Sequence, residues 1–132
     1  MTRFVIEPQV AIALAAADSK VAPCHTLLAP TLLRSQVLAL LYAEARSGQI
    51  SRKEASRRLD YLRALKVRLL GDRVLQRVAW EIAQELGWQD TFVAEYLALT
   101  RLQGDALVTD SPELAESAGR VVTVASMSAL LV

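Results

Sequence analysis

The chain has 132 residues, a length that fits one compact domain and leaves no room for two. Hydrophobic residues make up 53% of the sequence and charged residues 22%, a balance that favours a sizeable buried core over intrinsic disorder. The formal net charge is +1, so overall charge gives no reason to expect nucleic acid, and any such argument must rest on local charge.

Five short strands are predicted, and helices separate them along the chain. The strands are predicted at residues 3–6, 26–30, 67–70, 106–109 and 120–124. Glu7-Pro8 closes the first strand, because the residue before a proline avoids helical geometry. This alternation predicts a mostly parallel sheet with helices on both of its faces. The tail at 126–132 is ambiguous.

The helices between these strands carry recognisable start and stop signals. Helices are predicted at residues 9–17, at 32–46, from 51, from 72 to 87 and from 90 or 91 to 102. Ser51 and Glu54 have the spacing of a capping box, and Asp72 is a suitable N-cap. Gly48 and Gly87 are predicted to end the helices that precede them.

The sequence indicates a reducing compartment and no membrane segment. Cys24 is the single cysteine, which cannot form an internal disulfide. With His25 it forms a pair that lacks the further ligands that zinc needs, so a loop before a strand is the favoured interpretation. Glu7 and Pro8 interrupt the first apolar run, and no run approaches the roughly 20 residues that span a bilayer. We therefore expect a cytoplasmic protein without membrane contact.

Two acidic residues directly follow predicted strands. Glu7 comes after the first strand and Asp110 after the fourth. Because ligands bind at the carboxyl ends of parallel strands, these two side chains predict a functional site. The alternative interpretation is that they are ordinary polar turn residues.

Four stretches of the chain carry a resemblance to a known family. They lie at residues 4–14, 29–37, 87–99 and 107–114. In this order and at this spacing they resemble PIN domains, in particular the VapC toxins, over nearly the whole chain. The resemblance implies an α/β fold: a single PIN-like domain over residues 1–132, with a central parallel sheet of about five strands flanked by helices.

The family's ribonuclease chemistry needs three or four carboxylates that hold Mg²⁺ or Mn²⁺. The resemblance places the first of these at Glu7. It places the others at Gln36, Val93 and Ser111, none of which is acidic. Asp110 lies one residue before the fourth position. We therefore expect little or no nuclease activity by the family's mechanism, with Mg²⁺ or Mn²⁺ as cofactor if the protein is active and none otherwise.

A further carboxylate, Asp90, lies one helical turn before Val93. It either approaches the metal site as a third ligand beside Glu7 and Asp110 or only caps the helix, and the cap is the favoured interpretation.

Basic residues concentrate in the segment from Arg52 to Arg68, which the resemblance places beside the groove where RNA and an antitoxin approach. The segment contains Arg52, Lys53, Arg57, Arg58, Arg63, Lys66 and Arg68. We predict that Arg52, Arg57 and Arg58, together with Arg34, contact RNA or a protein partner. A solvated helix face is the alternative for the segment, and an ion pair with Glu7 is the alternative for Arg34.

Three hypotheses remain. The first is a PIN-like binding module with a degenerate acidic site, which keeps an antitoxin-like small protein as partner and forms a homodimer. The second is an active ribonuclease that uses Glu7 and Asp110, and the third is an unrelated α/β domain. Trp80 and Trp88 are interpreted as core or interface anchors.

Overall fold

All strands of the sheet run parallel, as a computed structural model that describes residues 1–132 shows. The strands are β1 (Thr2–Ile6), β2 (His25–Pro30), β3 (Val67–Leu70), β4 (Ala106–Val108) and β5 (Val124–Ala125). Their order in the sheet is β3-β2-β1-β4-β5. The predicted α/β architecture with a five-stranded parallel sheet is therefore confirmed.

Six α-helices flank the sheet. They are α1 (Pro8–Ala16), α2 (Leu33–Arg46), α3 (Arg52–Ala64), α4 (Arg73–Leu86), α5 (Phe92–Gln103) and α6 (Pro112–Gly119), followed by a short 3-10 helix at Met127–Leu130. Helices α1, α2 and α3 pack on one another, α4 pairs with α5, and α5 lies against β1 and β2. None of these helices combines the length and the apolar character that crossing a bilayer requires.

The predicted helix signals act as expected. Ser51 Oγ accepts a hydrogen bond from the backbone N–H of Glu54 at 3.0 Å, at the start of α3. Asp72 Oδ1 accepts one from Leu75 N–H at 2.8 Å, at the start of α4. Gly87 ends α4 in the left-handed region at φ 70°, a conformation that costs glycine little. These boundaries arise from local chemistry.

The prediction of a strand at 120–124 was wrong in its bounds. The N–H groups of Val121 and Val122 both donate to Ala118 O at 2.9 Å, so this backbone finishes the turn after α6. Only Val124–Ala125 pairs with β4. The β-branched composition indicated a strand, but the end of α6 already uses those backbone donors. Leu130, in the short 3-10 helix that follows β5, is fully buried.

The two tryptophans have different environments. Trp88 is half-buried and packs against the main core. Trp80 is 68% exposed on α4, so it is not a core residue. The core instead lies between the sheet and the helices, where β1, β4 and α5 supply fully buried side chains.

The strand order sets the position of the functional site. The chain builds β1, β2 and β3 outward in one direction, then returns to the other side of β1 to add β4 and β5. The carboxyl ends of β1 and β4 therefore flank the point where the order reverses. In open parallel sheets, ligands bind in the crevice at such a point.

Candidate functional site

A cleft of about 360 Å³ opens at the carboxyl end of β1. Its lining residues are Glu7, Pro8, Gln9, Gln36, Ala39, Leu40, Val93, Tyr96 and Leu114. The fold brings together three of the four positions at which the resemblance placed acidic ligands, namely Glu7, Gln36 and Val93. They come from the end of β1, from α2 and from α5.

Glu7 is the one ionisable carboxylate in the lining of this cleft. The side chain is buried, and it caps α1 by accepting a hydrogen bond from Val10 N–H at 3.1 Å. Burial raises the pKa of the Glu7 carboxyl, the Val10 hydrogen bond lowers it in part, and the negative charge of Asp110 raises it further. No basic side chain stabilises its charge. At pH 7 the Glu7 carboxylate therefore lowers the free energy of unfolding, which an uncharged capping residue would not do.

Replacing Glu7 with glutamine is expected to stabilise the protein at neutral pH. The folded pKa of Glu7 lies above the ordinary value of 4.5, so its ionisation opposes folding at pH values above the folded pKa. That penalty disappears below pH 4.5, where the folded and unfolded states both hold the proton. Urea unfolding should give a higher midpoint for Glu7→Gln than for wild type at pH 7, and equal midpoints near pH 3.5.

Glu7→Ala is the matched control, because it removes the charge and the helix cap together. We expect it to be less stable than Glu7→Gln by about 1 kcal/mol at both pH values. A Glu7→Gln protein that unfolds more easily than wild type at pH 7 would contradict the burial argument.

Gln36 and Tyr96 form a hydrogen-bonded pair on the wall of the cleft. Tyr96 Oη donates to Gln36 Oε1 at 2.6 Å. Burial raises the pKa of the Tyr96 phenol well above its ordinary value, and the charges of Glu7 and Glu95 raise it further. The Tyr96 hydroxyl therefore keeps its proton at neutral pH, and it donates that proton in the hydrogen bond to the side-chain oxygen of Gln36. Sequence reasoning missed Tyr96 as a site residue, although it lies three residues after Val93 and hence on the same helix face.

The two candidates that follow β4 do not line the cleft. Asp110 is exposed, and its Oδ1 accepts a hydrogen bond from Met127 N–H at 2.9 Å at the start of the 3-10 helix. Ser111 Oγ accepts one from Leu114 N–H at 3.3 Å and caps α6. Neither lines the cleft. Both side chains therefore accept hydrogen bonds from backbone N–H groups outside the cleft.

Asp90 also lies outside the cleft. Its Oδ1 accepts a hydrogen bond from Phe92 N–H at 3.2 Å, next to the first turn of α5. It lines a separate hollow that Trp80 and Trp88 share. This placement agrees with a capping role.

The donor atoms in the cleft do not fit a magnesium or manganese site. They are one carboxylate, one carboxamide oxygen that already accepts a hydrogen bond, and an apolar side chain where a ligand would be needed. Hard cations prefer several oxygen ligands. No group of three or more acidic, histidine or cysteine side chains is placed to hold a metal ion anywhere in the chain. Cys24 Sγ and His25 Nδ1 lie 3.8 Å apart on the surface, without a third ligand.

Two of the predicted contact arginines have partners inside the fold. Arg57 pairs with Glu54 at 2.7 Å and donates to Ala15 O, at the end of α1, at 2.9 Å. Arg58 pairs with Glu54 at 2.8 Å and approaches Glu44 of α2 at 3.6 Å. The two guanidinium groups lower the pKa of Glu54 to about 2. The network joins α1, α2 and α3.

The other two predicted contact arginines, Arg34 and Arg52, are exposed. Arg34 does not pair with Glu7, because it lies on a separate apolar groove of about 600 Å³ between α2 and α3. The groove is lined by Ala11, Leu33, Arg34, Val37, Leu38, Leu59, Leu62, Arg63, Leu65, Val67 and Leu69. Its lining is therefore mostly aliphatic, with two arginines.

Comparison with known proteins identifies the fold through solved structures. Neither a family model nor a curated protein matches the chain. PAE2754 from Pyrobaculum aerophilum is similar with a TM-score of 0.74 and 25% identity, over 97% of this chain and 92% of that one. A chain of VapBC2 from Rickettsia felis, solved bound to a DNA fragment from their promoter, is similar with a TM-score of 0.68 and 10% identity, over 94% of this chain and 98% of that one. The chain thus has the fold of a PIN-like domain.

Proposed function

We propose that the protein is a VapC-like, PIN-fold protein of the toxin–antitoxin type that acts as a cytoplasmic binding module, with nuclease activity lost or greatly weakened. The donor set of the cleft carries this proposal. Glu7 stands alone as a carboxylate, while the neighbouring positions hold a hydrogen-bonded Gln36 and an apolar Val93. Because Mg²⁺ gives up its water reluctantly, a single carboxylate supports only weak binding.

Calorimetric titration with Mn²⁺ tests the loss of the metal site. We expect no binding to the wild type at millimolar Mn²⁺, and no difference between wild type and Glu7→Ala. Asp60→Asn is a control for surface binding, because Asp60 is exposed on α3, remote in sequence from the cleft residues. Binding at micromolar strength that Glu7→Ala abolishes and Asp60→Asn preserves would contradict the proposal.

One observation favours the alternative, an active metal-dependent ribonuclease with a rearranged site. The charge of Asp110 raises the pKa of Glu7, so the two carboxylates are close enough to interact. In this alternative Asp110 releases Met127 N–H and turns toward Glu7, with Asp90 as a more distant third ligand. Mn²⁺ binding and RNA cleavage that are both lost in Asp110→Asn would favour it over the binding module.

The groove between α2 and α3 supports the protein-partner part of the proposal. It is mostly aliphatic, with Leu38 55% exposed on its wall. Arg34 and Arg63 add positive charge at the groove, although Arg63 already pairs with Asp60. An antitoxin-like small protein that presents an amphipathic segment with acidic flanks would complement this surface.

Co-expression with the product of a short reading frame adjacent to the gene tests this partner. We expect the two proteins to copurify, and Leu38→Lys to weaken the complex at least about tenfold, because it places a charge in an apolar contact. Leu102→Lys is the matched control, since Leu102 is also exposed but lies on α5, outside the groove. Equal binding by both variants would contradict the groove as the docking site.

For RNA or phosphate contact we propose Arg34 and Arg52, because both are exposed. An external phosphate at Arg57 or Arg58 would have to compete with Glu54. We also propose that the protein is a homodimer.

A further inference from the structure

The cleft at Glu7 presents free hydrogen-bonding atoms of two opposite kinds. Glu7 uses Oε1 to cap α1, whereas its second oxygen, Oε2, makes no hydrogen bond within the fold. Gln36 uses its side-chain oxygen to accept from Tyr96, whereas its amide nitrogen makes no hydrogen bond within the fold. Every buried side-chain nitrogen or oxygen has a hydrogen-bond partner, so both of these free atoms reach the solvent. The cleft therefore offers one charged acceptor and one amide with two N–H donors.

The acceptor and the donors lie close to the same hydroxyl group. The Glu7 charge raises the pKa of the Tyr96 phenol, so the carboxylate lies near the Tyr96 hydroxyl. That hydroxyl is 2.6 Å from the side-chain oxygen of Gln36. Tyr96 therefore links the two residues, and a ligand of modest size can contact the Glu7 carboxylate and the Gln36 amide together.

Ions of either sign fit this pair of residues poorly. An ammonium or guanidinium group has donors only, so one that paired with Glu7 would leave the N–H groups of Gln36 without an acceptor. A donor that is enclosed without a partner is unfavourable. A phosphate or carboxylate group would accept from Gln36, but its charge would repel that of Glu7. The pair instead matches a neutral group that carries donors and an acceptor side by side.

The remaining lining of the cleft is mostly apolar. It consists of Pro8, Gln9, Ala39, Leu40, Val93 and Leu114. Of these only Gln9 is polar, and it is exposed. The cleft volume of about 360 Å³ is at the lower end of the roughly 300–1,000 Å³ that small-molecule sites enclose. Size and lining therefore suit one flat heterocycle that is held at one edge by polar atoms.

We propose that the cleft binds a guanine base by its Watson–Crick edge. This edge carries two adjacent N–H donors, at N1 and N2, next to a carbonyl acceptor at O6. The donors pair with the Glu7 carboxylate, the carbonyl accepts from the Gln36 amide, and the ring lies against the apolar wall that includes Val93. The proposal rests on the loss of the metal site stated under the proposed function, because a cation at Glu7 would compete for the same oxygen. It adds a small-molecule site that is distinct from the partner groove between α2 and α3.

Three nucleosides test the recognition of this edge. We expect guanosine to bind the wild type, and inosine, which lacks the N2 amino group, to bind at least about tenfold more weakly, the size of one lost hydrogen bond to a charged group. Adenosine presents an acceptor at N1 where guanine has a donor, so it should give no measurable binding. Backbone amide chemical shifts of isotope-labelled protein, followed during each titration, give the dissociation constants and locate the contact.

Two variants test the two partners of the base. Glu7→Gln keeps an uncharged cap on α1, Gln36→Leu keeps a side chain of similar size, and each should weaken guanosine binding at least about tenfold. Asp60→Asn is the control, because it also removes a carboxylate but lies on α3, where it does not line the cleft. It should bind guanosine as the wild type does. Circular dichroism checks that each variant keeps its helix content.

A short uridine oligonucleotide with a single central guanosine distinguishes the two sources of the base. If the guanine belongs to single-stranded RNA, this oligonucleotide should bind more tightly than guanosine, and replacing its guanosine with adenosine should abolish the gain. If the ligand is a free nucleoside, guanosine should bind at least as tightly as the oligonucleotide. Either result supports recognition of the guanine edge.

Selective binding of guanosine that both cleft variants weaken supports the base site. Equal affinity for the three nucleosides would mean that the ring is held without its edge, and this result overturns the proposal. A spectrum that does not change at millimolar guanosine overturns it as well. The Mn²⁺ titration fails separately: metal binding at Glu7 would contradict the proposed function, whereas the absence of both metal and guanosine binding overturns the base site alone.

Discussion

Combining Gln36→Glu with Val93→Asp is expected to create a Mn²⁺ site in the cleft. Both side chains already line it together with Glu7, so the double variant would hold three carboxylates within one cavity. Three oxygen-donor side chains match the preference of hard divalent cations. At a Mn²⁺ concentration about 100 times the dissociation constant, binding stabilises the native state by about 2.7 kcal/mol. Calorimetry and thermal unfolding with and without Mn²⁺ measure the effect.

Without metal, the same variant should be less stable than wild type, because the new charges repel one another and the buried Glu7. Val93→Asp alone is the control: we expect weak binding or none, and no nuclease activity, because position 36 still lacks a carboxylate. A double variant that is indifferent to millimolar Mn²⁺ would show that residues in addition to these two prevent metal binding.

Replacing Gly104 with alanine should destabilise the fold by about 1–3 kcal/mol, the cost of overpacking a well-filled core. Gly104 follows α5, and a Cβ there would lie 2.9 Å from Val5 Cγ2 and 3.2 Å from Thr100 Cα. Val5 is fully buried in β1, and one of the two contacts is with backbone. The close approach of α5 to β1 is thus the reason for glycine. Urea unfolding at neutral pH measures the loss.

Gly119→Ala provides the comparison within the same chain. A Cβ at Gly119 meets no atom within 4 Å, and the residue ends α6. Removing glycine at such a position is expected to be neutral or to stabilise by up to about 1 kcal/mol, through a less flexible unfolded chain. Similar losses in the two variants would mean that contact with Val5 is not the cause.

The cleft at Glu7 contains an energetically unfavourable side chain, whereas the groove between α2 and α3 does not. Burial and the charge of Asp110 raise the pKa of the Glu7 carboxyl, although a neutral residue would also cap α1. Perturbed pKa values of this kind are common at functional sites. The groove between α2 and α3 instead has ordinary aliphatic packing, with arginines at its lining. Glu7→Gln changes only the cleft, and Leu38→Lys changes only the groove. Comparing the binding properties of the two variants therefore separates a functional use of the cleft from a functional use of the groove.

The sequence by itself determined the elements whose causes are local. The strands around Val5 and Leu28 follow from β-branched and apolar runs, and Ser51, Asp72 and Gly87 cap helices through contacts within a few residues. The order of strands and helices then restricts the sheet to parallel pairing, because each crossover is long enough to hold a helix. The architecture was therefore predictable without tertiary information.

Tertiary structure alone decided which side chains meet. Sequence spacing did not reveal that Gln36 bonds to Tyr96, 60 residues away, or that Asp110 accepts a hydrogen bond from Met127 N–H. The sequence also did not decide whether Trp80 lies in the core or on the surface. Helical periodicity does not show how far the buried face of a helix extends. Local propensity acts over a few residues. The composition of a site depends on packing across the whole sheet, and that packing is set only once the strands have their order.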